Sequence, residues 1–249
     1  MEIYVGDLHI HTNYSDGANT PEQIVLSARN SGLDFISITD HNQFDGAKYA
    51  KNIVEKYVLG LIVILGEEIT TNWGHLLALN IKEYIPHELS PKEICKRIHE
   101  QSGYVFAAHP YWKTTREQFW EKGIFEQLLS EGDLDGFELI NAEAISPEEN
   151  YPVIEKNREL CLQGRYYPVI GNSDAHKIEQ LSKNIKMYVL AESLTEENIM
   201  KSIIERKCVI EWQQKYYGNE KYVSEVESWY MENFIDHLRI CQQEVAPFI

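Results

Sequence analysis

The chain has 249 residues, of which 43% are hydrophobic, and a formal charge of −16. That length suits one large α/β domain or two small ones, and that apolar content excludes a chain too polar to build a core. So negative a surface repels DNA and RNA phosphates, so no stable nucleic-acid binding is expected, whereas a small anionic substrate stays compatible because bound metal ions reverse the local potential.

The opening MEIYVGDLHIHT lacks a basic stretch followed by an apolar one, so no secretory leader is expected. No window approaches the 18 apolar residues of a membrane span. Cys95, Cys161, Cys208 and Cys241 are scattered singly with no C-x-x-C pair, as reduced thiols of a cytoplasmic protein would be.

In chain order, the first strand is expected over Ile3–His11. Thr20-Pro21-Glu22-Gln23 then supplies an N-cap, a proline at the first helical position and a capping-box glutamine, and Gly32 stops the helix. Strands follow over Phe35–Asp40, Leu61–Glu68 and His75–Ile81. Ser90-Pro91-Lys92-Glu93 opens a second helix, which Gly103 stops. Strands over Tyr104–His109 and Phe137–Asn141 precede a third helix start at Ser146-Pro147-Glu148-Glu149, with Gly164 as its stop. Tyr167–Gly171, Lys186–Ala191 and Cys208–Trp212 complete the strands, and Thr195 caps a helix with Glu196 and Glu197 in its first turn. Alternating strands and helices imply a parallel sheet with helices outside, and no linker rich in Pro, Gly or Ser divides the chain. One barrel-like domain is therefore expected. Beyond it, Val223, Val226, Tyr230, Phe234, His237 and Cys241 recur at helical spacing, which predicts an amphipathic helix packed on the barrel, or less simply a dimer contact.

The strand ends carry the chemistry. Residues two apart on a strand share a face, so His9 and His11 point together with Asp7 behind them. His41 and Glu68 end the next two strands, His109 ends a later one, and Asp174 and His176 follow another. In a parallel barrel all these ends lie on one face. Buried imidazoles and carboxylates are costly unless paired or bound to metal, and mixed imidazole and carboxylate ligands suit zinc, manganese or iron(II). The donors exceed what one ion takes, so two or three divalent ions are expected, with Glu68 as a bridge. Such a cluster activates a bridging water and clamps the oxygens of a displacement, a natural fit to phosphoester hydrolysis.

Asp7-Leu8-His9-Ile10-His11-Thr12, Ser15-Asp16-Gly17, Thr39-Asp40-His41-Asn42, Gly66-Glu67-Glu68, His109-Pro110 and Ser173-Asp174-Ala175-His176 together resemble the PHP (polymerase and histidinol phosphatase) family. The resemblance runs from Met1 to about Trp212. It implies a distorted (β/α)7 barrel over residues 1–212 and a trinuclear metal site serving a metal-dependent phosphoesterase; residues 213–249 lie outside it and are expected, from their spacing, to form the helical extension. It makes His9, His11, Asp174 and bridging Glu68 ligands of a first ion. Glu68, His109 and His75 would hold a second, and Asp16, His41 and His176 a third, with Asp16 standing where many relatives carry histidine. A bridging water held by Glu68, with His176 beside it, would be the catalytic group. Glu67 competes with Glu68, which the family pattern of Gly, any residue, Glu favours.

Asp7 and Asp40 are candidates for orienting a histidine through its other ring nitrogen. Glu138 and Asn141 end a strand and are candidates for lining the pocket. Lys113, Arg116 and Lys177 closely follow the ligand motifs and are candidate phosphate-binding cations. Tyr111 and Trp112 are candidates for stacking on a ring. The expected activity is hydrolysis of a small phosphorylated substrate, such as a nucleotide 3′- or 5′-phosphate or histidinol phosphate. A metal-dependent amidohydrolase is the alternative enzyme, although no lysine ends a ligand strand. A non-catalytic module stabilised by metal is the other alternative. Any oligomer would form through the C-terminal extension.

Overall fold

The computed structural model describes residues 1–57, 59–112, 120–144 and 147–243, and side chains in these ranges other than those of 147 and 232–243. The first part of the chain runs β1 (Glu2–Asp7), α1 (Pro21–Asn30), β2 (Phe35–Ile36), α2 (Asp45–Tyr57), β3 (Ile62–Val63), β4 (Gly66–Thr71), β5 (Gly74–Leu79), α3 (Pro91–Glu100) and β6 (Tyr104–Ala107). The rest runs α4 (Ile124–Glu131), β7 (Gly136–Asn141), α5 (Tyr151–Leu162), β8 (Val169–Asn172), β9 (Ile185–Ala191), α6 (Glu196–Ile204), β10 (Cys208–Trp212), β11 (Lys215–Gly218) and α7 (Glu220–Gln243).

The helix starts follow local chemistry. Thr20 Oγ1 accepts from the Gln23 amide at 3.4 Å while Gln23 Oε1 accepts from the Thr20 amide at 2.9 Å, the reciprocal pair expected ahead of α1. Ser90 and Thr195 cap α3 and α6 through the one-sided bond alone, accepting from the Glu93 and Asn198 amides. Two expectations are displaced. α5 starts at Tyr151, after a 3₁₀ turn over Pro147–Asn150, and Ser146 lies outside the described residues. After α3 it is Ser102, at φ 60°, that turns left-handed, ahead of Gly103.

The strands form a six-stranded sheet, β11-β10-β9-β1-β2-β3, and a five-stranded sheet, β4-β5-β6-β7-β8. The uniformly parallel sheet expected from strand–helix alternation is not what forms. β1–β2–β3 and β6–β7–β8 run parallel, but β4–β5, β5–β6, β1–β9, β9–β10 and β10–β11 are antiparallel. The physical reason lies in the connections: β4 and β5 are separated only by Asn72 and Trp73, and so short a turn reverses the chain. The expected strand over Leu61–Glu68 splits into β3 and β4, one in each sheet.

Two isolated parallel bridges, Ile10 to Ala175 and His41 to Glu68, join the sheets where the strands end. Along β5 the pleat sorts the core. Leu76 and Ala78 pack with Ile94, Cys95 and Ile98 of α3, whereas Leu77 and Leu79 meet Leu8, Phe35, Phe106, Ile170 and Met187 from both sheets. A boundary after Trp212 falls inside the β10–β11 hairpin, which pairs Trp212 with Lys215. α7 packs its buried Val226, with Tyr222 and Val223, on Tyr188, Leu190 and Val209 of β9 and β10. Phe234, His237 and Cys241 lie outside the described side chains. Among the described residues no helix is long and apolar enough to cross a membrane.

Candidate metal centre

Strand direction gathers the donors. β1 ends at Asp7, but the chain continues between neighbours: the Thr39 amide donates to Ile10, the Ala175 amide to His9 and the His11 amide to Ala175. His9 and His11 are thereby held with ring centroids 5.1 Å apart. β5 runs against β4 and β6, so its first residues lie at the rim where the parallel strands finish. This brings His75, which starts a strand, beside His109, which follows one; their rings are 5.0 Å apart.

Glu68 sits at the centre, fully buried. Its Oε1 is 3.0 Å from His75 Nδ1 and 3.1 Å from His109 Nε2. Its Oε2 is 3.2 Å from His9 Nε2, 3.3 Å from His11 Nε2 and 2.8 Å from His41 Nδ1. Asp174 Oδ1 closes the first group, 3.2 Å from His9 Nε2 and 3.0 Å from His11 Nε2. Asp16 Oδ2 lies 3.3 Å from His176 Nε2 and 3.7 Å from His41 Nε2, at the exposed rim. Cross-strand pairing explains why Glu68 and not Glu67 enters: Glu68 faces Leu77 on the side shared by both sheets, whereas Glu67 pairs with Ala78 on the helix side. There Glu67 accepts from the Ile85 amide at 3.2 Å, and burial pushes its carboxyl up to about 8.

The donor atoms fit divalent ions. His9 Nε2, His11 Nε2, Glu68 Oε2 and Asp174 Oδ1 are buried without a hydrogen bond, a costly arrangement unless a cation takes their lone pairs. Among the described residues four compact donor groups form: His9, His11 and Asp174; His41, Glu68 and His75; His11, Asp16, His41 and His176; and Glu143, Asp174 and His176. Each keeps its donors within 4.8 Å of one another. Burial alone would raise the Asp174 and Glu68 carboxyls, but the surrounding imidazoles outweigh it and hold both well below the usual range. Burial likewise opposes charge on His9, yet Asp174, Glu68 and Glu138 carry its pKa well above the usual value. A site this rich in carboxylate is built for cationic charge.

The imidazoles are aimed by groups beyond the donors. Glu138 Oε1 meets His9 Nδ1 at 3.2 Å, and the same carboxylate accepts from the Asn172 side chain, the Asn141 side chain and the His109 amide. Thr70 Oγ1 is 2.7 Å from His41 Nδ1. His176 Nδ1 faces the Asp174 carbonyl at 2.9 Å and Glu143 Oε1 at 3.2 Å, leaving Nε2 toward Asp16. Burial works against charge on His176, but Glu143 and Asp174 push it up to about 9. Asn141 Nδ2 donates to Asp174 Oδ2 at 2.9 Å.

The contacts of Asp7 and Asp40 differ from the expected bond to a histidine ring. Among the described residues neither hydrogen-bonds an imidazole: Asp7 accepts from the His9 and Ser173 amides, and Asp40 from the Thr12 amide, Thr12 hydroxyl and Ser15 hydroxyl. They tie the ligand loops together instead. The groups opposite them are loop amides and hydroxyls. Glu138, expected only to line the pocket, does what Asp7 and Asp40 were expected to do, and Glu143 and Thr70 escaped the sequence reading because their contacts depend on chain packing. Of the aromatic pair, Tyr111 turns into the core and donates to Glu126 at 2.5 Å, while Trp112 stays beside His109 with ring centroids 5.2 Å apart. Lys177 is exposed and makes no ion pair with the cluster among the described residues; Lys113 and Arg116 lie outside the described residues.

The model of the PHP domain family matches residues 7–238, which extends past Trp212 into α7. An uncharacterized protein of Methanocaldococcus jannaschii is 35% identical over 147 residues, covering 55% of this chain and 81% of its own length. The 5′-3′ exoribonuclease Rnm of Escherichia coli is 35% identical over 100 residues, so the match spans 39% of this chain but only 32% of that enzyme. In fold, the chain is similar to a two-domain protein of Bacteroides vulgatus described as containing a predicted PHP-like metal-dependent phosphoesterase. The TM-score is 0.71 at 22% identity, covering 90% of this chain and 68% of that one. An amidohydrolase from Chromobacterium violaceum shares the fold at a TM-score of 0.56 and 15% identity, covering 82% of this chain and 96% of that one. The last two likenesses concern fold alone and do not separate ester from amide chemistry.

Proposed function

Because the chain belongs to the PHP domain family, we propose that it hydrolyses small phosphate esters at a centre holding two or three divalent ions, manganese, zinc or iron. The observation that carries this reading is the division of Glu68, whose two oxygens face separate sets of imidazoles as a bridging carboxylate's would. His9, His11 and Asp174 would hold one ion with Oε2, and His75 and His109 a second with Oε1. Asp16, His41 and His176 would hold a third. The barrel-like arrangement that the resemblance implies, in which the two sheets close around this centre, belongs to the same proposal.

Bound ions would supply an activated water and neutralise the phosphate oxygens. The chain's own groups prepare that chemistry. With an ion bound, Glu138 would hold the Nδ1 proton of His9 and Nε2 would present its lone pair to the centre. Glu143 and the Asp174 carbonyl do the same for His176. Asn141 occupies the outer oxygen of Asp174 and leaves Oδ1 to the donors. Full burial of His9, His11 and Glu68 limits bulk water at one side of the centre, while Asp16, His41 and His176 keep the other side open to substrate.

The test is phosphate release from sugar, nucleotide and amino-alcohol monoesters and from nucleotide diesters, with manganese, zinc or iron added. Diesters are included because the E. coli relative is an exoribonuclease. Turnover that disappears on chelation is expected. Bound metal without cleavage of any ester, together with cleavage of amides, would replace the proposal with the amidohydrolase alternative.

A further inference from the structure

A cleft of about 550 Å³ opens beside the metal centre, and the function proposed above leaves it unused. Its position follows from strand direction. β9 runs against β1, so its start at Ile185 lies at the end of β1 that leads to His9; β10 returns against β9 and places Trp212 across from Ile185. The segments 182–186 and 211–214 therefore stand on the rim that carries the ligands. Asn141 joins the two sites, since it lines the cleft while its Nδ2 donates to Asp174 Oδ2 at 2.9 Å.

The lining is unlike the centre. It is dominated by amides and small polar groups, among them Asn150, Ser182, Asn184, Gln213 and Gln214, with Lys186 and Glu211 as one charge of each sign. The volume falls in the range of small-molecule sites, and among the described lining residues the exposed amides of Asn184, Gln213 and Gln214 offer donors and acceptors while the two charges balance. Its backbone is also strained. Ser182, Asn184, Gln213 and Gln214 all have positive φ, at 55°, 64°, 51° and 60°. Gln213-Gln214 forms the two-residue turn of the β10–β11 hairpin, where left-handed φ at both positions favours Asn-Gly. Glutamine at both costs stability there, which is understandable where the side chains have work to do.

We infer that this cleft is the leaving-group subsite: it takes the uncharged, hydrogen-bonding part of the phosphate ester, about the size of a nucleoside or a sugar, while the ions take the phosphate. The inference rests on the phosphoesterase reading. Amide side chains pair with both hydroxyl groups and base edges, so the shared chemistry is a dense set of neutral donors and acceptors. An aryl leaving group can meet Trp212 and Ile185 of the lining but gives its amides little to pair with.

The test compares kcat/KM of the metal-loaded full chain on a nucleoside monophosphate, a hexose phosphate and 4-nitrophenyl phosphate. The double variant Gln213→Asn/Gln214→Gly installs the turn's favoured residues, and Asn184→Gly removes a side chain where glycine is favoured, so neither is expected to cost folding. The wild type is expected to prefer at least one polar ester over the aryl ester. In each variant that preference should fall about tenfold, the size of one or two lost hydrogen bonds, mainly through KM. Which polar ester loses more tells a nucleoside from a sugar. Turnover of all three esters without preference, or a preference unchanged in both variants, overturns the inference and leaves the phosphoesterase reading standing. Failure of the metal-loaded wild type to cleave any ester overturns both.

Discussion

Glu68→Gln keeps the shape of the side chain that five imidazoles surround but removes the charge they converge on. Metal affinity is expected to fall at least about 100-fold, measured by metal content after dialysis. Glu138→Gln is the subtler test. It leaves every proposed ligand in place and weakens the carboxylate that meets His9 and also holds the His109 amide, so metal affinity or kcat should fall roughly 10–100-fold with the fold retained by circular dichroism. Asp7→Asn and Asp40→Asn should instead act on stability, seen in denaturation midpoints, because their contacts are to loop amides and hydroxyls. The proposed ligands were legible because each sits in a short motif at or beside a strand end. Glu138 was legible as a strand-end residue but not in its role, since its contact with His9 spans 129 positions and depends on how β7 sits against the end of β1. Strand parity says which side a residue faces and not what stands opposite.

At the scale of elements, the caps of α1, α3 and α6 could be read locally, because hydrogen bonds within four residues set them, and most strand positions could be read from their apolar, β-branched runs. Strand direction could not, and the reversal of β5 is what makes His75 a neighbour of His109. The Ser15-Asp16-Gly17 turn shows how tightly one element is held: a Cβ on Gly17 would stand 2.5 Å from the His11 carbonyl oxygen. Gly17→Ala should destabilise the fold by about 1–3 kcal/mol in denaturant titrations, and it should weaken binding at the Asp16 donor group more than elsewhere. A second element contact sets a pH dependence away from the metal centre. His99 at the end of α3 bonds Asp135 Oδ2 at 2.9 Å, and that bond raises its pKa above the ordinary value. A raised pKa in the fold means stability that is present in full below the unfolded value and lost as pH rises through the folded one. The stability difference between wild type and His99→Asn should therefore be largest at mildly acid pH, below about 1 kcal/mol for so exposed a pair, and vanish in alkali.

For the whole molecule, the two sheets meet where the proposed ligands are, through the bridges Ile10–Ala175 and His41–Glu68. Ions bound there would pin both sheets, so folding and metal binding should be linked. Metal at about 100 times its Kd would add about 2.7 kcal/mol, visible as a rise in Tm that chelation reverses. The α/β character and the shared rim were legible from alternation and motif order, whereas the division into two mixed sheets and the added strand β11 were not, because pairing partners lie far apart in sequence. The central claim is that Glu68 stands between ions. Anomalous diffraction at the absorption edge of the metal added to crystals of the full chain tests it most directly. Separate peaks are expected on either side of the Glu68 carboxylate, one against His9, His11 and Asp174 and one against His75 and His109. An ordered metal-soaked crystal with no peak at Glu68, or with its peaks confined to other residues, would contradict it.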